Sequence, residues 1–334
     1  MKRSKQARLK HNPDSVTRNF AVSVIMVLVF ICIGVYVLTQ TKASSQTYSV
    51  EPETGNALAQ MSKDDPTASG GQAIRFTQQP FGCMAAGLQA PCIGSQQTGG
   101  TGWGSPVFQD EFNGTSLDTN KWAPCWFPGS FNGADTCGVM NDSVTLKSNV
   151  RVADGSVILT QSSVQENSAS DQGALINTHP SQVGAGKGFM MGDAYFAEAR
   201  VYFPGDGTNC YNWPAWWING PLSGFSDGEI DVAEMGGTGK MTTNYHYDTG
   251  TGHQATQLTV PGYWCDGYHI YGVDRQVGQN VIYMDGQEVT RYQTHDGGAD
   301  QYLIFNVGYK TGKTPMAGSA SDVKVDYVRV WKKL

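Results

Sequence analysis

Charge is scarce in this chain. Only 16% of its 334 residues are Asp, Glu, Lys or Arg, and no stretch of 12 residues shows the apolar spacing of an amphipathic helix. A helical domain is therefore excluded, because it would be rich in Ala, Leu, Glu and Lys. Basic residues are missing where a nucleic-acid footprint would need them. Lys2, Arg3, Lys5, Arg8, Lys10 and Arg18 against Asp14 give the first 20 residues +5, so the rest of a chain with net charge −6 carries −11. Nucleic acid is excluded as a partner and polyanionic substrates are disfavoured, which leaves a neutral polymer as the better-matched ligand. No Cys-x-x-Cys pair occurs and no His stands at ligand spacing beside a cysteine, so a zinc site has no support. Internal repeats are also absent.

What is present is glycine (41) and tyrosine (15), a composition suited to short strands and many turns. Residues Ala21 to Leu38 form an almost wholly apolar run with Ser23 as its one strongly polar member. Eighteen residues at about 1.5 Å rise come close to the thickness of a bilayer core. The basic flank would remain in the cytoplasm and everything after the run would lie outside. Two outcomes stay open. Residues 21–39 serve as an uncleaved transmembrane anchor, or as a signal segment cleaved after Ala43 in Thr41-Lys42-Ala43, giving a secreted protein. Residues 1–20 are then a cytoplasmic basic segment. Residues 40–104, rich in Ser, Thr, Gln and Gly, read as an extracytoplasmic linker.

Cys32 lies in the apolar run, and six cysteines follow it. In an oxidising compartment six suggest three disulfides. Proximity favours Cys83–Cys92 and Cys125–Cys137, which leaves Cys210–Cys265. From Ser105 onward short apolar or alternating runs are separated by turn signals. Val157–Thr160, Ala194–Phe203, Val281–Met284 before Asp285-Gly286, and Val323–Trp331 all predict strands. In the last run Val323, Val325, Tyr327, Arg329 and Trp331 share one face by alternation, and neither face is purely apolar. Residues 105–334 are expected to form one all-β domain, a two-sheet β-sandwich.

The segment that carries chemistry is Gly228-Glu229-Ile230-Asp231-Val232-Ala233-Glu234-Met235. On a regular strand Glu229 and Asp231 share a face, while Glu234 would point the other way. One extra residue, a β-bulge near Val232–Ala233, returns Glu234 to the face of Glu229. The two glutamates would then lie about 13 Å apart at Cα, and side chains leaning back along the strand bring the carboxyls to about 5–7 Å. A retaining glycosidase separates its pair by about 5–5.5 Å and an inverting one by more, so retention is expected. Taken alone, such a run is more often the solvated face of an edge strand.

The surroundings change that reading. Phe108-Gln109-Asp110-Glu111-Phe112-Asn113-Gly114 with Leu117-Asp118 and Lys121-Trp122 looks like an opening strand of a known family. Phe196-Ala197-Glu198-Ala199-Arg200 with Trp213-Pro214-Ala215-Trp216-Trp217 is similar to that family's cleft-lining segment, and Val325–Trp331 to its closing strand. Together with Glu229–Glu234 these segments, over about 230 residues, resemble glycoside hydrolase family 16, laminarinase-like members in particular.

The resemblance implies a concanavalin-like jelly roll with substrate across one sheet. It implies Glu229 as nucleophile, Glu234 as general acid/base and Asp231 as a hydrogen-bonding partner of the nucleophile. Trp213 and Trp217 share parity as candidate sugar platforms, with Trp216 turned to the core. His246 matches a histidine on the neighbouring strand, and His269 is left as structural. No cofactor is required for catalysis. A structural calcium is implied at Asp326, with backbone oxygens of Glu111 and Gly155 as partners. The expected activity is retaining, endo-acting hydrolysis of a β-glycan, β-1,3-glucan first. Galactan or agar hydrolysis and transglycosylation use the same carboxylates, and a non-catalytic carbohydrate binder would have no need of all three acids.

Overall fold

The computed structural model describes residues 60–63, 72–75, 103, 105–125, 135–165, 171–221, 224–235 and 240–334. The chain divides into two units, 1–76 and 77–334. In the first, strands β1 (Gln60–Lys63) and β2 (Gln72–Arg75) pair antiparallel, within the stretch expected to be linker. Residues 21–39, Cys32, Cys83 and Cys92 lie outside the described residues. Among the described residues no helix is long and apolar enough to cross a membrane.

The second unit holds β3 (Phe108–Asp110), β4 (Thr136–Met140), β5 (Ser143–Leu146), β6 (Val150–Ala153), β7 (Ser156–Leu159), β8 (Gln172–Asn177) and β9 (Tyr195–Phe203). It continues with β10 (Ala215–Asn219), β11 (Glu229–Met235), β12 (Met241–Asp248), β13 (His253–Thr259), β14 (Gly267–Gln276) and β15 (Gln279–Met284). β16 (Gln287–Gln293), β17 (Tyr302–Val307) and β18 (Val323–Lys332) complete it. Two sheets result. One runs β13-β12-β11-β10-β17-β8-β5-β4, and the other β16-β15-β14-β9-β18-β7-β6 with β3 beside β18. The first carries the cleft, and the second is called the outer sheet here. All four predicted strands are present. The β6–β7 and β15–β16 connections are tight turns in which Asp154-Gly155 and Asp285-Gly286 both take positive φ, the geometry two-residue hairpins require.

The core lies between the sheets. Trp216, Ile218, Ile230, Val232, Ala233, Met235 and Phe305 from the cleft sheet meet Ala197, Ala199, Val201, Phe203, Val273, Val323 and Val325 from the outer sheet. Trp216 stacks on Phe305 at 5.8 Å between ring centroids. Each such fully buried large side chain contributes about 1.5–3 kcal/mol. Cys125–Cys137, which proximity favoured, and Cys210–Cys265, the pair left over, are disulfides.

Two parity readings needed correction. β18 carries a bulge between Val325 and Tyr327 at Asp326. The core face therefore switches from Val323 and Val325 to Val328 and Val330, while Tyr327 and Trp331 pack elsewhere. That explains why strict alternation left neither face apolar. The segment Phe196–Arg200 belongs to β9 in the outer sheet, paired with β14 and β18, and does not line the cleft. Packing also begins before residue 105, because Trp103 bridges Lys333 and lies edge-on to Phe196 at 5.8 Å.

Candidate active site

β11 sits between β10 and β12, and both neighbours register the same irregularity. Trp216 pairs with Ala233 and Trp217 with Asp231, so Val232 has no partner on β10. On β12, Asn244 pairs with Asp231 and Thr242 with Glu234, leaving Thr243 opposite two residues. This is the bulge the sequence required. Ile230, Val232, Ala233 and Met235 all face the core, and Glu229, Asp231 and Glu234 all face the other way.

The register lines the cleft-face residues in ranks across four strands. Tyr302, Asn219, Glu229 and His246 form one rank, and Ile304, Trp217, Asp231 and Asn244 the next. Asn306, Ala215, Glu234 and Thr242 form the third. A cleft of about 220 Å³ opens over them, lined by Trp213, Trp217, the three acids and Asn306, with Met140 and Asn141 at one side.

Hydrogen bonds tie the acids together unevenly. Asn244 Nδ2 donates to Glu234 Oε2 at 2.7 Å and to Asp231 Oδ2 at 2.9 Å. Trp213 Nε1–H donates to Glu234 Oε1. Among the described residues Glu229 has one longer donor, Asn219 Nδ2 at 3.2 Å. His246 Nε2 lies 3.3 Å from Asp231 Oδ2, and its Nδ1 meets His253 Nε2 at 2.9 Å. Phe225 stacks on both imidazoles. The polar atoms of Glu229, Asp231 and His246 converge within 4.8 Å of one another.

Burial is the first cause of the electrostatics here. It raises Glu234 to about 7, helped by the Asp231 charge and opposed by the donors Trp213 and Asn244 and by His246. Burial likewise lifts Glu229 well above the usual carboxylate range, with the charges of Asp231 and Glu234 adding to it. For His246 burial pulls downward. The hydrogen bond to Asp231 and the charges of Asp231 and Glu234 outweigh it, and the net direction is up. Glu229 and Glu234 are therefore both biased toward the protonated form. In the free site the two donors on Glu234 favour its charged form and leave the bias stronger at Glu229.

The aromatic residues divide their roles. Trp216 is in the core. Trp217 lines the cleft with its Nε1–H on Asn306 Oδ1 at 2.8 Å. Trp213 also lines the cleft, but Lys313 lies over its ring at 4.2 Å, so the indole is more than a sugar platform. His269 pairs with Asp285 at 2.8 Å on the outer sheet. Asn219, Asn244 and Asn306 were not singled out by sequence. Asn244 was within reach, since it lies two residues before His246 and shares its face.

The calcium expected at Asp326 meets an arginine instead. Asp326 Oδ2 accepts from Arg200 Nη1 at 2.7 Å, and the Glu111 side chain is held by Arg329 at 2.7 and 2.8 Å. The Asp326 carboxylate, expected as the side-chain ligand, is thus engaged by a guanidinium. A calcium ion at Asp326 is therefore not shown.

The three acids on one bulged strand of a two-sheet sandwich lie within a stretch that a family model matches. The sequence model of "Glycosyl hydrolases family 16" matches residues 197–329, which include the whole Glu229–Glu234 segment. Over that stretch the chain is similar to the family. A curated relative, glucan endo-1,3-beta-glucosidase A1 of Niallia circulans, is 28% identical over 269 residues. These cover 68% of this chain and 38% of that protein, so the chain spans about two fifths of its relative's length. Among solved structures, an endo-beta-1,3-glucanase from Pyrococcus furiosus matches with TM-score 0.54 and 19% identity, over 71% of this chain and 97% of the other. β-Agarase B from Zobellia galactanivorans matches with TM-score 0.53 and 14% identity, over 70% and 94%. These likenesses show the two-sheet jelly-roll fold.

Proposed function

We propose that this domain is a retaining, endo-acting glycoside hydrolase that cleaves β-1,3-glucan. The observation that carries the proposal is the Val232–Ala233 bulge, which sets Glu229 and Glu234 on one open face with Asp231 between them. Glu229 attacks the anomeric carbon and forms a glycosyl ester. Glu234 protonates the departing oxygen, then takes a proton from the water that breaks the ester. Substrate has to shift the balance of protonation. Positive charge growing at the anomeric carbon beside Glu229 favours its ionised form, and the leaving oxygen supplies a proton acceptor beside Glu234. Asp231, fixed by Asn244 and His246, keeps negative charge next to both. The likeness to the glucan endo-1,3-beta-glucosidase of Niallia circulans supports β-1,3-glucan as substrate. The agarase likeness is one of fold only.

The test separates the two glutamates. With an aryl β-glycoside, Glu234→Ala should still form the glycosyl ester and accumulate it, and added azide should release the β-glycosyl azide. In Glu229→Ala azide can attack only from the nucleophile's side and should give the α-azide. The reverse pattern would exchange the roles, and full activity in either variant would remove the pair from the mechanism. A panel of β-glucans and galactans with product analysis decides the substrate. The apolar run at 21–39 and the two disulfides support an extracytoplasmic location, anchored or released. A mature N-terminus at Ser44 would establish release.

A further inference from the structure

Behind Trp213 lies a buried cation that the chemistry above does not use. Lys313 is 9% exposed, and its Nζ has no hydrogen-bond partner among the described residues. The ammonium rests 4.2 Å from the centroid of the Trp213 ring. The same indole turns its N–H edge to Glu234 Oε1. One ring therefore has a cation on its face and a carboxylate at its edge. An apolar side chain would fill the space over the indole at least as well, whereas a buried, unpaired amine is costly. The amine is explained by electrostatics, since a cation on the π face attracts the ring's electrons and makes its N–H a stronger donor.

The backbone holds this stack rigidly. Lys313 N donates to Lys310 O at 3.0 Å across a turn whose Gly312 has φ +90°. Thr311 bonds Asp142 Oδ2 through its N–H at 2.8 Å and its hydroxyl at 2.9 Å. Thr314, the next residue, bridges Tyr211 and accepts Asn212 N–H at 2.9 Å, one residue before Trp213. Ring and amine thus sit on neighbouring segments pinned to each other.

We propose that Lys313 is a positioning residue that acts on Glu234 through Trp213, holding the indole N–H on the carboxylate and strengthening its donation. This rests on the reading of Glu234 as the acid/base. The charged groups facing Glu234 are Asp231 and Glu229 on its own strand, His246 on β12 and Lys313 itself; burial and Lys310 weaken the Lys313 ammonium, and Glu234 favours it. Lys310 is 5.6 Å from the same ring and less buried, so its influence is more screened.

The test needs no substrate. Full-length protein carrying ¹³Cδ-glutamate is titrated by NMR, with the Glu234 signal assigned by its loss in Glu234→Gln. Removing the cation in Lys313→Met, or in Lys313→Gln as a second neutral variant, should raise the Glu234 midpoint by about half to one pH unit. Lys313→Arg should restore the wild-type midpoint, and Lys310→Met should move it less. In a Trp213→Phe background the Lys313→Met shift should largely vanish. A shift below about 0.2 unit in both neutral variants would overturn the proposal, because one unit corresponds to a tenfold change in proton affinity. A full-sized shift persisting without Trp213 would overturn it too, by showing a direct field. An inactive wild-type enzyme on laminarin would count against the hydrolase reading and leave this titration intact. On an active one, the alkaline limb of kcat/KM should follow the NMR midpoint.

Discussion

Replacing Glu234 by glutamine should make the protein more stable at alkaline pH and no more stable at acid pH. Burial and the Asp231 charge raise Glu234 from 4.5 to about 7, so between those values the folded state binds the proton more tightly than the unfolded chain. Stability contributed by that proton is full below the unfolded value and is lost as pH rises through the folded one. At pH 8 the loss amounts to about 3 kcal/mol, taking about 1.4 kcal/mol per unit. Glutamine carries no charge and escapes it. It can accept from only one of Trp213 and Asn244, though, and turns its own N–H at the other, which costs about 1 kcal/mol. The net expectation is a gain of about 2 kcal/mol at pH 8 and a loss of about 1 kcal/mol at pH 4. For a domain of this size that is about 4–8 °C upward at pH 8 and a few degrees downward at pH 4. Calorimetry of both proteins at the two pH values measures it. Equal shifts at both pH values, or a glutamine variant less stable at pH 8, would refute the claim that Glu234 is held in an environment hostile to its charge.

Asp231→Asn removes the charge that raises both glutamates, so their proton affinities should fall and the alkaline limb of the pH–rate profile should move down by about one unit; an unmoved limb would assign the shift to burial alone. The two disulfides close spans of 12 and 55 residues, so removing Cys125–Cys137 should cost about 3 kcal/mol and removing Cys210–Cys265 about 4 kcal/mol, read as non-reducing melts. The opposite order would mean that local packing, not chain entropy, dominates. Deleting Ala233 should give a folded protein with a regular β11 and all three acids still facing the cleft, yet kcat lower by about tenfold to a hundredfold because Glu234 is no longer aimed at its donors. Unchanged kcat would show that the bulge has no catalytic purpose.

The catalytic strand was legible because its residues break alternation in a way only one device repairs. Three acids and four apolar residues sort onto two faces only if one residue is added near Val232. β18 obeys the same logic but hid it. Its bulged residue is Asp326, and mixed residues such as Tyr327 and Arg329 left no clean apolar face to reveal the switch. The place of Phe196–Arg200 in the outer sheet could not be read either, because alternation gives a strand two faces without saying which sheet owns it. Side chains that act through long-range pairing were invisible for a related reason. Lys313 and Trp213 are 100 residues apart, and nothing in local spacing marks a lysine that will be buried on an indole.

The bulge in β11 does not set the distance between the glutamates. Glu229 and Glu234 lie four steps apart as measured on either neighbour, Asn219 to Ala215 and His246 to Thr242, and a motif one residue shorter would give the same separation on a regular strand. The extra residue brings two other things. It places both Val232 and Ala233, each fully buried, on the core side, and it adds the local twist that bulges bring. That twist falls between Asp231 and Glu234, so it turns one glutamate relative to the other. Glu234 reaches Trp213, which stands beyond the end of β10, as well as Asn244 on the opposite neighbour, and each of its oxygens has its own donor. Among the described residues Glu229, on the regular half of the strand, has one long contact, to Asn219. The proposed reaction, in which one carboxylate attacks and the other moves protons, needs two unlike environments, and the inserted residue falls between the two carboxylates that have them.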